Sequence, residues 1–198
     1  MKWPGMDKIR DSADILQPEK EETYQFIEKL LSAVKESFST NRVHLGMDEA
    51  VMLGLGNYLK ENGYKKGSLI IREHCNRVVD ICRKLELKPM IWSDMYITAN
   101  STGGYYDLPE NTDCSKWEKP KKDLGLVYWD YYHADTRTYE KMLDIHAQLS
   151  DNVIFAGGSW IWNGISPNYS KTYACTKAAL STCKKYNIKA VSYTHLTL

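Results

Sequence analysis

The sequence alternates short apolar runs with longer segments whose apolar residues recur every three or four positions. The short runs predict strands at 42–47, 90–92, 126–129, 153–156 and 188–191. The longer segments predict helices at 19–38, 50–62, 68–87, 136–150 and 169–186. Residues 96–123 lack either period, and an irregular segment of this length is typical of a functional loop. This alternation predicts βαβ units and therefore an α/β fold with a parallel sheet.

Polar and aromatic side chains crowd the C-terminal end of each of the first four predicted strands. A (β/α)8 TIM barrel gathers all its strand ends around one pocket, whereas an open doubly wound sheet uses mainly its switch point. The pattern therefore favours the barrel. A complete barrel typically has roughly 250 residues, but this chain has 198 and only five predicted strands. We expect an incomplete barrel, about strands 4 to 8, with strand 8 cut short.

Composition narrows the class of protein. The chain has 26 basic and 25 acidic residues and no local basic cluster, which argues against nucleic-acid binding. It has no run approaching the roughly 20 apolar residues of a membrane helix. Residues 1–10 lack the apolar core of a signal peptide, so we expect a cytoplasmic protein unless a signal precedes a missing start. The five cysteines form no C-x-x-C pair and are predicted to be buried thiols.

Two adjacent carboxylates, Asp48 and Glu49, follow the first predicted strand. Neighbouring residues of a strand point to opposite faces, so both can reach one pocket only if the strand ends or kinks at Asp48. The two carboxylates of a conventional glycosidase stand ~5 to 9 Å apart and flank the scissile bond. Adjacent carboxylates suit a different division of roles, in which one protonates the leaving group and the other orients a nearby group of the substrate. The alternative is a helix N-terminus that carries acidic residues.

Aromatic residues add to this pattern. The chain has 14 Tyr and 6 Trp but only 3 Phe, a surplus of rings with a polar tip that is typical of binding surfaces. Sugar rings present apolar C–H faces that stack on such rings, while polar groups at the rim bind the hydroxyls. The aromatic residues at the predicted strand ends are Trp92, Trp129, Tyr131, Tyr132, Trp160 and Trp162.

The segment His44-x-Gly46-x-Asp48-Glu49 resembles the catalytic signature of glycoside hydrolase family 20, the β-N-acetylhexosaminidases. Further segments similar to the family follow in its order: Trp92-Ser93-Asp94, Trp129-Asp130-Tyr131-Tyr132 and Gly158-Ser159-Trp160-Ile161-Trp162. The resemblance extends over about residues 3–190 and is strongest to the compact bacterial branch of the family. It implies hydrolysis of terminal GlcNAc or GalNAc from glycans, with no cofactor and no metal.

The resemblance also implies a retaining, substrate-assisted mechanism, in which the 2-acetamido oxygen of the substrate attacks C1 and forms an oxazolinium. Glu49 would be the general acid and then the base, and Asp48 would orient the acetamido group. His44 would support the acidic pair, and either Tyr131 or Tyr132 would hold the acetamido oxygen. The remaining implied substrate-binding residues are the pocket walls Trp92, Trp129, Trp160 and Trp162 and the rim residues Asp94 and Asp130.

The resemblance also implies that parts of the family's barrel are missing. An early-strand arginine that grips the outer hydroxyls of the sugar has no counterpart, and neither has the Trp-Gly-acid element of the last strand. We expect residues 1–190 to be the C-terminal part of the catalytic barrel. Residues 191–198 are similar to the translation of a sequencing-library adapter and are expected to be a non-native tail. The chain alone is expected to be inactive.

Two other classes of protein remain open. A non-catalytic sugar-binding barrel, or an inactive truncated one, would keep the aromatic residues without needing the acidic pair. A metal-dependent barrel hydrolase could use His44, Asp48, Glu49 and His133, although the sequence has no H-x-H pair.

Overall fold

The computed structural model describes residues 5–194, which fold around a sheet of five parallel strands. The strands are β1 Arg42–His44, β2 Lys88–Trp92, β3 Gly125–Trp129, β4 Val153–Gly158 and β5 Val191–Thr194. Each strand pairs in parallel with the next one along the chain, so the sheet order has no reversal and no switch point. The sheet curls into a half-barrel, which confirms the predicted α/β class and is consistent with an incomplete barrel.

Helices cover the outer face of this sheet. They are α1 Glu21–Ser37, α2 Asn57–Asn62, α3 Gly67–Lys84, α4 Asp94–Thr98, α5 Thr136–Leu149 and α6 Tyr169–Lys185, preceded by a short 3-10 helix, Met6–Ile9. Helix α3 packs on β2, α5 on β3 and α6 on β4. The core lies between these layers, where Ile91, Leu126 and Phe155 are completely buried. Helix α4 falls at the start of the segment predicted to be irregular.

The inner face of the sheet is less well covered. In β2, Pro89 and Ile91 are buried against the helices, whereas Met90 and Trp92 on the inner face are only partly buried. A cavity of about 490 Å³ runs along this face and is lined by His44, Met90, Trp92, Val127, Ile154 and Ala156, among others. In a closed barrel such inward side chains are packed in layers. Here they line an open concave surface.

Of the helix predicted at 50–62, only α2, Asn57–Asn62, is helical, and residues 51–56 form turns. Buried Asp11 captures the backbone of this segment: its carboxylate accepts hydrogen bonds from the N–H groups of Gly54 (2.9 Å) and Tyr58 (2.7 Å). Gly54 has a φ of +75°, which a helix does not permit. At Gly56 an added Cβ would lie 2.1 Å from the carbonyl oxygen of Asp11. This close approach therefore requires glycine.

Strand β5 begins three residues later than the strand predicted at 188–191. All four of its residues belong to the segment expected to be a non-native tail, yet they continue the parallel ladder of β4. The ring of Tyr193 lies over Gly157, where an added Cβ would come within 2.7 Å of it. Residues 195–198, including His195, lie outside the described residues.

The cysteines and helices agree with two further expectations. All five cysteines lie in the described part of the chain and are buried free thiols, as predicted. Between residues 5 and 194, none of the helices combines the length and the apolar character needed to cross a bilayer.

We predict that the 198-residue chain associates with itself, because its concave face and the edges of β1 and β5 are open within residues 5–194. Light scattering and sedimentation velocity should show concentration-dependent oligomers. Ile154→Lys, which places a charge on the concave face, should reduce this association. Leu180→Lys on α6, where the leucine is 40% exposed, is the matched control and should leave it unchanged. A stable monomer would contradict the prediction.

Candidate active site at the strand ends

The backbone turns sharply directly after β1. Gly46, Met47 and Glu49 have positive φ angles of 73°, 69° and 48°. Such left-handed conformations are strained for residues other than glycine and concentrate at functional sites. The turn is held to the sheet, since the N–H of Trp92 donates to the carbonyl of Gly46 (3.1 Å). Strand β1 ends at His44, three residues before the end predicted at residue 47, and both Asp48 and Glu49 are exposed. This meets the condition that the strand must end or kink at Asp48 for both carboxylates to reach one pocket.

Asp94, the first residue of α4, fixes the end of this turn. Its Oδ2 accepts a hydrogen bond from the backbone N–H of Glu49 (2.8 Å). The side chain is buried, with 3% exposure. Burial raises the pKa of Asp94, and the Asp48 charge raises it further, while the Glu49 N–H and the Trp129 indole oppose the rise. Sequence reasoning expected a rim residue at this position, and the structure places it beneath the acidic pair.

The two carboxylates of the pair face different neighbours. The Asp48 charge acts on His44, where it opposes the lowering of the imidazole pKa by burial. His44 stacks against Trp92 with ring centroids 4.3 Å apart, and its Nδ1 accepts from the N–H of Gly46 (3.0 Å). The Glu49 charge acts on the other side of the site: burial raises the pKa of Tyr131 to about 12, and the Glu49 charge contributes to the rise. Asp48 thus lines a cavity with His44, whereas Glu49 lines another with Asp94 and Trp129.

Five of the six aromatic residues singled out from the sequence form one aromatic cluster of touching rings. The cluster comprises Trp129, Tyr131, Tyr132, Trp160 and Trp162. Trp129 stacks on Tyr131 (5.8 Å between centroids), and Trp160 stacks on Trp162 (5.0 Å). Trp92, the sixth, lies with His44 on the concave face instead.

The end of β4 is anchored through Trp160. Its indole N–H donates to the carbonyl of Tyr131 (2.5 Å), and its backbone N–H donates to the hydroxyl of Thr172 (2.9 Å). The Lys171 ammonium lies 3.5 Å from the centre of the Trp160 ring, in cation–π geometry. Only 6% of Trp160 is exposed, whereas Trp162 is 36% exposed. Of these two stacked rings, Trp162 therefore presents more surface to a ligand.

A buried series of hydrogen-bonded side chains supports the Trp129 ring. Tyr105 stacks on Trp129 with centroids 5.1 Å apart, and its hydroxyl lies 2.7 Å from Ser93 Oγ. Ser93 Oγ lies 2.7 Å from Nε2 of His146. Nδ1 of His146 contacts the Met142 carbonyl at 2.6 Å and must donate to it, so Nε2 accepts from the serine hydroxyl. Each member of the series is thereby paired.

Asp130 does not lie at the rim where sequence reasoning expected it. It is 1% exposed and accepts hydrogen bonds from the Tyr128 hydroxyl (2.9 Å) and the Tyr132 N–H (2.9 Å). Nδ1 of His133 lies 2.8 Å from the same carboxylate. Asp130 therefore fixes the turn that carries Tyr131 and Tyr132, and its oxygens are directed into the protein.

The metal-dependent alternative lacks a ligand set in this part of the chain. Among residues 5–194, no three histidine, cysteine or carboxylate side chains lie close enough together to hold a metal ion. His133, one of the four residues considered for it, is paired with Asp130.

The buried residues that support the aromatic cluster were not predicted from the sequence. Tyr105 and Tyr106 lie in the irregular segment, and the Tyr106 hydroxyl donates to the carbonyl of Trp129 (2.8 Å). Two adjacent tyrosines after Gly103-Gly104, in a loop long enough to be functional, were the available signal. Ser93 and His146 gave no such signal, because they meet across 53 positions of sequence.

The fold is a curled half-barrel of parallel strands, with an acidic pair and an aromatic cluster at the strand ends. The sequence profile of the glycosyl hydrolase family 20 catalytic domain matches residues 2–151, which is 150 of the 198 residues. The chain therefore belongs to glycoside hydrolase family 20, a family of glycosidases. Comparison with curated protein sequences gives no match.

Solved structures share the fold at low sequence identity. One is an exo-β-N-acetylglucosaminidase of this family from Vibrio harveyi, in complex with N-acetylglucosamine, with a TM-score of 0.54 and 15% identity over 90% of this chain. Another is a β-N-acetylhexosaminidase, with a TM-score of 0.55 and 14% identity over 92% of this chain. The chain spans only 28% and 38% of the lengths of these two proteins.

Acid should destabilise the fold through His146. Burial lowers the pKa of His146 from 6.5 to about 4. Between these values the unfolded chain binds a proton that the folded chain does not, so stability falls as the pH falls from 6.5 to 4. We expect this group to lower the free energy of unfolding by about 3 kcal/mol over that range.

The measurement is urea unfolding at several pH values, followed by tryptophan fluorescence, on the protein that the intact gene encodes (the complete gene product). His146→Gln should reduce the pH dependence between 6.5 and 4, whatever its effect on absolute stability. His133→Gln, at a partly exposed histidine, is the control. An unchanged pH dependence in His146→Gln would disprove this assignment.

Proposed function

We propose that the complete gene product is a β-N-acetylhexosaminidase that removes terminal GlcNAc or GalNAc from glycans with retention of configuration. The observation that carries the proposal is the turn after β1, which exposes both Asp48 and Glu49 at one strand end. Family membership supports glycoside hydrolysis, and a solved relative is a complex with N-acetylglucosamine. We also propose that β1 to β5 are about strands 4 to 8 of the barrel, although β5, Val191–Thr194, lies beyond residue 190.

In the proposed reaction the substrate supplies its own nucleophile. The acetamido carbonyl oxygen forms a bond to C1 while the bond from C1 to the glycosidic oxygen breaks, and Glu49 gives its proton to the departing oxygen. Asp48 stabilises the positive charge of the resulting oxazolinium. Water then attacks C1, the Glu49 carboxylate takes its proton, and the acetamido group is restored. Because the nucleophile belongs to the substrate, no second carboxylate is needed across the sugar ring.

The other site residues have positioning and binding roles in this proposal. Asp94 holds the Glu49 backbone, and His44 faces Asp48. The aromatic cluster and Trp92 bind the sugar face and the N-acetyl methyl group. Of the two tyrosines that the sequence left open, we propose Tyr131 as the one that holds the acetamido oxygen, because it contacts both Trp129 and Trp162. The Glu49 charge also contributes to the raised pKa of its phenol. Tyr132 is 45% exposed and packs on Trp160.

The acidic pair can be tested in the complete gene product with 4-nitrophenyl β-GlcNAc. We predict that Glu49→Gln and Asp48→Asn each lower kcat by at least about 100-fold, since each removes a group that acts in the transition state. With Glu49→Gln the loss should be smaller for a 2,4-dinitrophenyl leaving group, which departs without protonation. Glu22→Gln, on the exposed face of α1, is the matched control. Full activity of either site variant would contradict the proposal.

The choice between the tyrosines has its own test. We predict that Tyr131→Phe lowers kcat/KM about 10- to 100-fold, as expected for the loss of one hydrogen bond to a developing charge. Tyr132→Phe should lower it less than threefold. The reverse order of the two losses would assign the acetamido contact to Tyr132.

The 198-residue chain has a second candidate role, favoured by its open concave face and by its small share of each matched structure. We propose that the chain alone is an inactive part of the barrel. In that case it should not hydrolyse 4-nitrophenyl β-GlcNAc, while the complete gene product should. Turnover by the chain alone would show that the remaining strands are dispensable.

A further inference from the structure

A separate cavity of about 480 Å³, which we call the aliphatic chamber, adjoins Glu49. It lies between the turns that follow the acidic pair, the residues that lead into α3, and helix α4. Most of its lining is apolar: Ala50, Val51, Leu53, Leu55, Tyr64, Met95 and Ala99. Its volume is sufficient for a small organic group.

The aliphatic chamber shares a wall with the aromatic cluster but is not part of it. Glu49, Asp94 and Trp129 line it, while the other walls come from different segments of the described chain. The Glu49 charge also acts on Tyr131, which belongs to the aromatic cluster. Glu49 therefore lines the chamber together with Trp129, the residue that the chamber shares with the aromatic cluster.

The outer wall of the chamber is fixed by the protein. Asp11, which is 3% exposed, holds Gly54 and Tyr58 by their backbone N–H groups, and these residues flank Leu55. The close approach of Gly56 to Asp11 leaves no room for a side chain. The turns that carry Val51 and Leu55 are thus anchored, although both side chains are exposed.

Two polar residues of the chamber, Thr98 and Lys65, are already engaged. The Thr98 hydroxyl donates to the carbonyl of Asp94 (2.9 Å). The Lys65 ammonium is paired with Glu19 (2.6 Å) and Glu73 (2.5 Å), and these hydrogen bonds raise its pKa. Oδ1 of Asp94, by contrast, is buried without a hydrogen-bond partner among the described residues, and the Glu49 carboxylate is exposed. These two acceptors lie next to each other, at the Glu49 side of the chamber, and the entrance is apolar. At the entrance, Val51, Leu55 and Tyr64 are 82%, 44% and 77% exposed, and an apolar patch of this kind marks a binding surface.

We propose that the aliphatic chamber binds the leaving group of the substrate and favours alkyl or aryl alcohols over a second sugar. This inference rests on the proposed function. A general acid stands beside the glycosidic oxygen, so the sugar ring and the leaving group lie on opposite sides of that oxygen. With the sugar against the aromatic cluster, the leaving group enters the chamber on the other side of Glu49.

The first test compares hexyl β-GlcNAc with the disaccharide N,N′-diacetylchitobiose as substrates of the complete gene product. Leu55→Ser and Val51→Ser should lower the ratio of kcat/KM for the hexyl glycoside to that for the disaccharide about tenfold, because they remove apolar contacts made only by the alkyl chain. Leu180→Ser, at an apolar residue on α6 that is 40% exposed, should leave the ratio unchanged. An unchanged ratio in both chamber variants would overturn the assignment.

The second test does not depend on turnover. Saturation-transfer NMR should detect 1-hexanol bound to the complete gene product and to Glu49→Gln, with the signal strongly reduced in Leu55→Ser. If this pattern holds but no glycoside is hydrolysed, the chamber assignment stands and the proposed function fails. If glycosides are hydrolysed but 1-hexanol does not bind, or binds Leu55→Ser equally well, the chamber assignment fails alone. Absence of both turnover and binding overturns both.

Discussion

The left-handed turn that ends β1 is the constraint on which the rest of the site depends. In a continuing strand Asp48 and Glu49 would point to opposite faces of the sheet, and only one could reach the strand-end pocket. The positive φ angles of Gly46, Met47 and Glu49 remove that alternation. The strain is maintained by bonds on both sides, from Trp92 to the Gly46 carbonyl and from Glu49 to Asp94. Strand β2 and helix α4 therefore position the acidic pair as much as β1 does.

Buried polar groups give the aromatic cluster its shape. The rings themselves have weak directional preferences, and their positions follow from what lies beneath them. Tyr105, Ser93 and His146 support Trp129, and Asp130 holds the turn that carries Tyr131 and Tyr132. Each of these buried groups is paired, and an unpaired one would be costly in so dry an environment. The apolar surface of the aromatic cluster is thus fixed by hydrogen bonds that lie beneath it.

The half-barrel explains how one chain segment can carry so much of a site. Because the strands follow one another in order and run parallel, the C-terminal ends of β1 to β4 meet at one edge. The acidic pair, Asp94, Trp129 and Trp160 all lie at that edge. The same sequential order leaves the concave face open, since an inner face is filled only when the sheet closes on itself. The sequential parallel order of the strands therefore has two results: the site residues meet at one edge of the sheet, and the inner face stays uncovered.

The sequence by itself determined β2 to β4, most helices and the parallel sheet, because local periodicity encodes them. It also placed Asp48 and Glu49 after the end of a strand, although β1 ends three residues earlier and β5 begins three residues later than predicted. Tertiary structure alone decided the turns at 51–56. There the Asp11 carboxylate binds backbone N–H groups 43 and 47 positions away, and the predicted helix does not form. It likewise moved Asp130 from the rim to the interior and brought Ser93 to His146. Such contacts join residues distant in sequence, and no local pattern of apolar and polar positions records them.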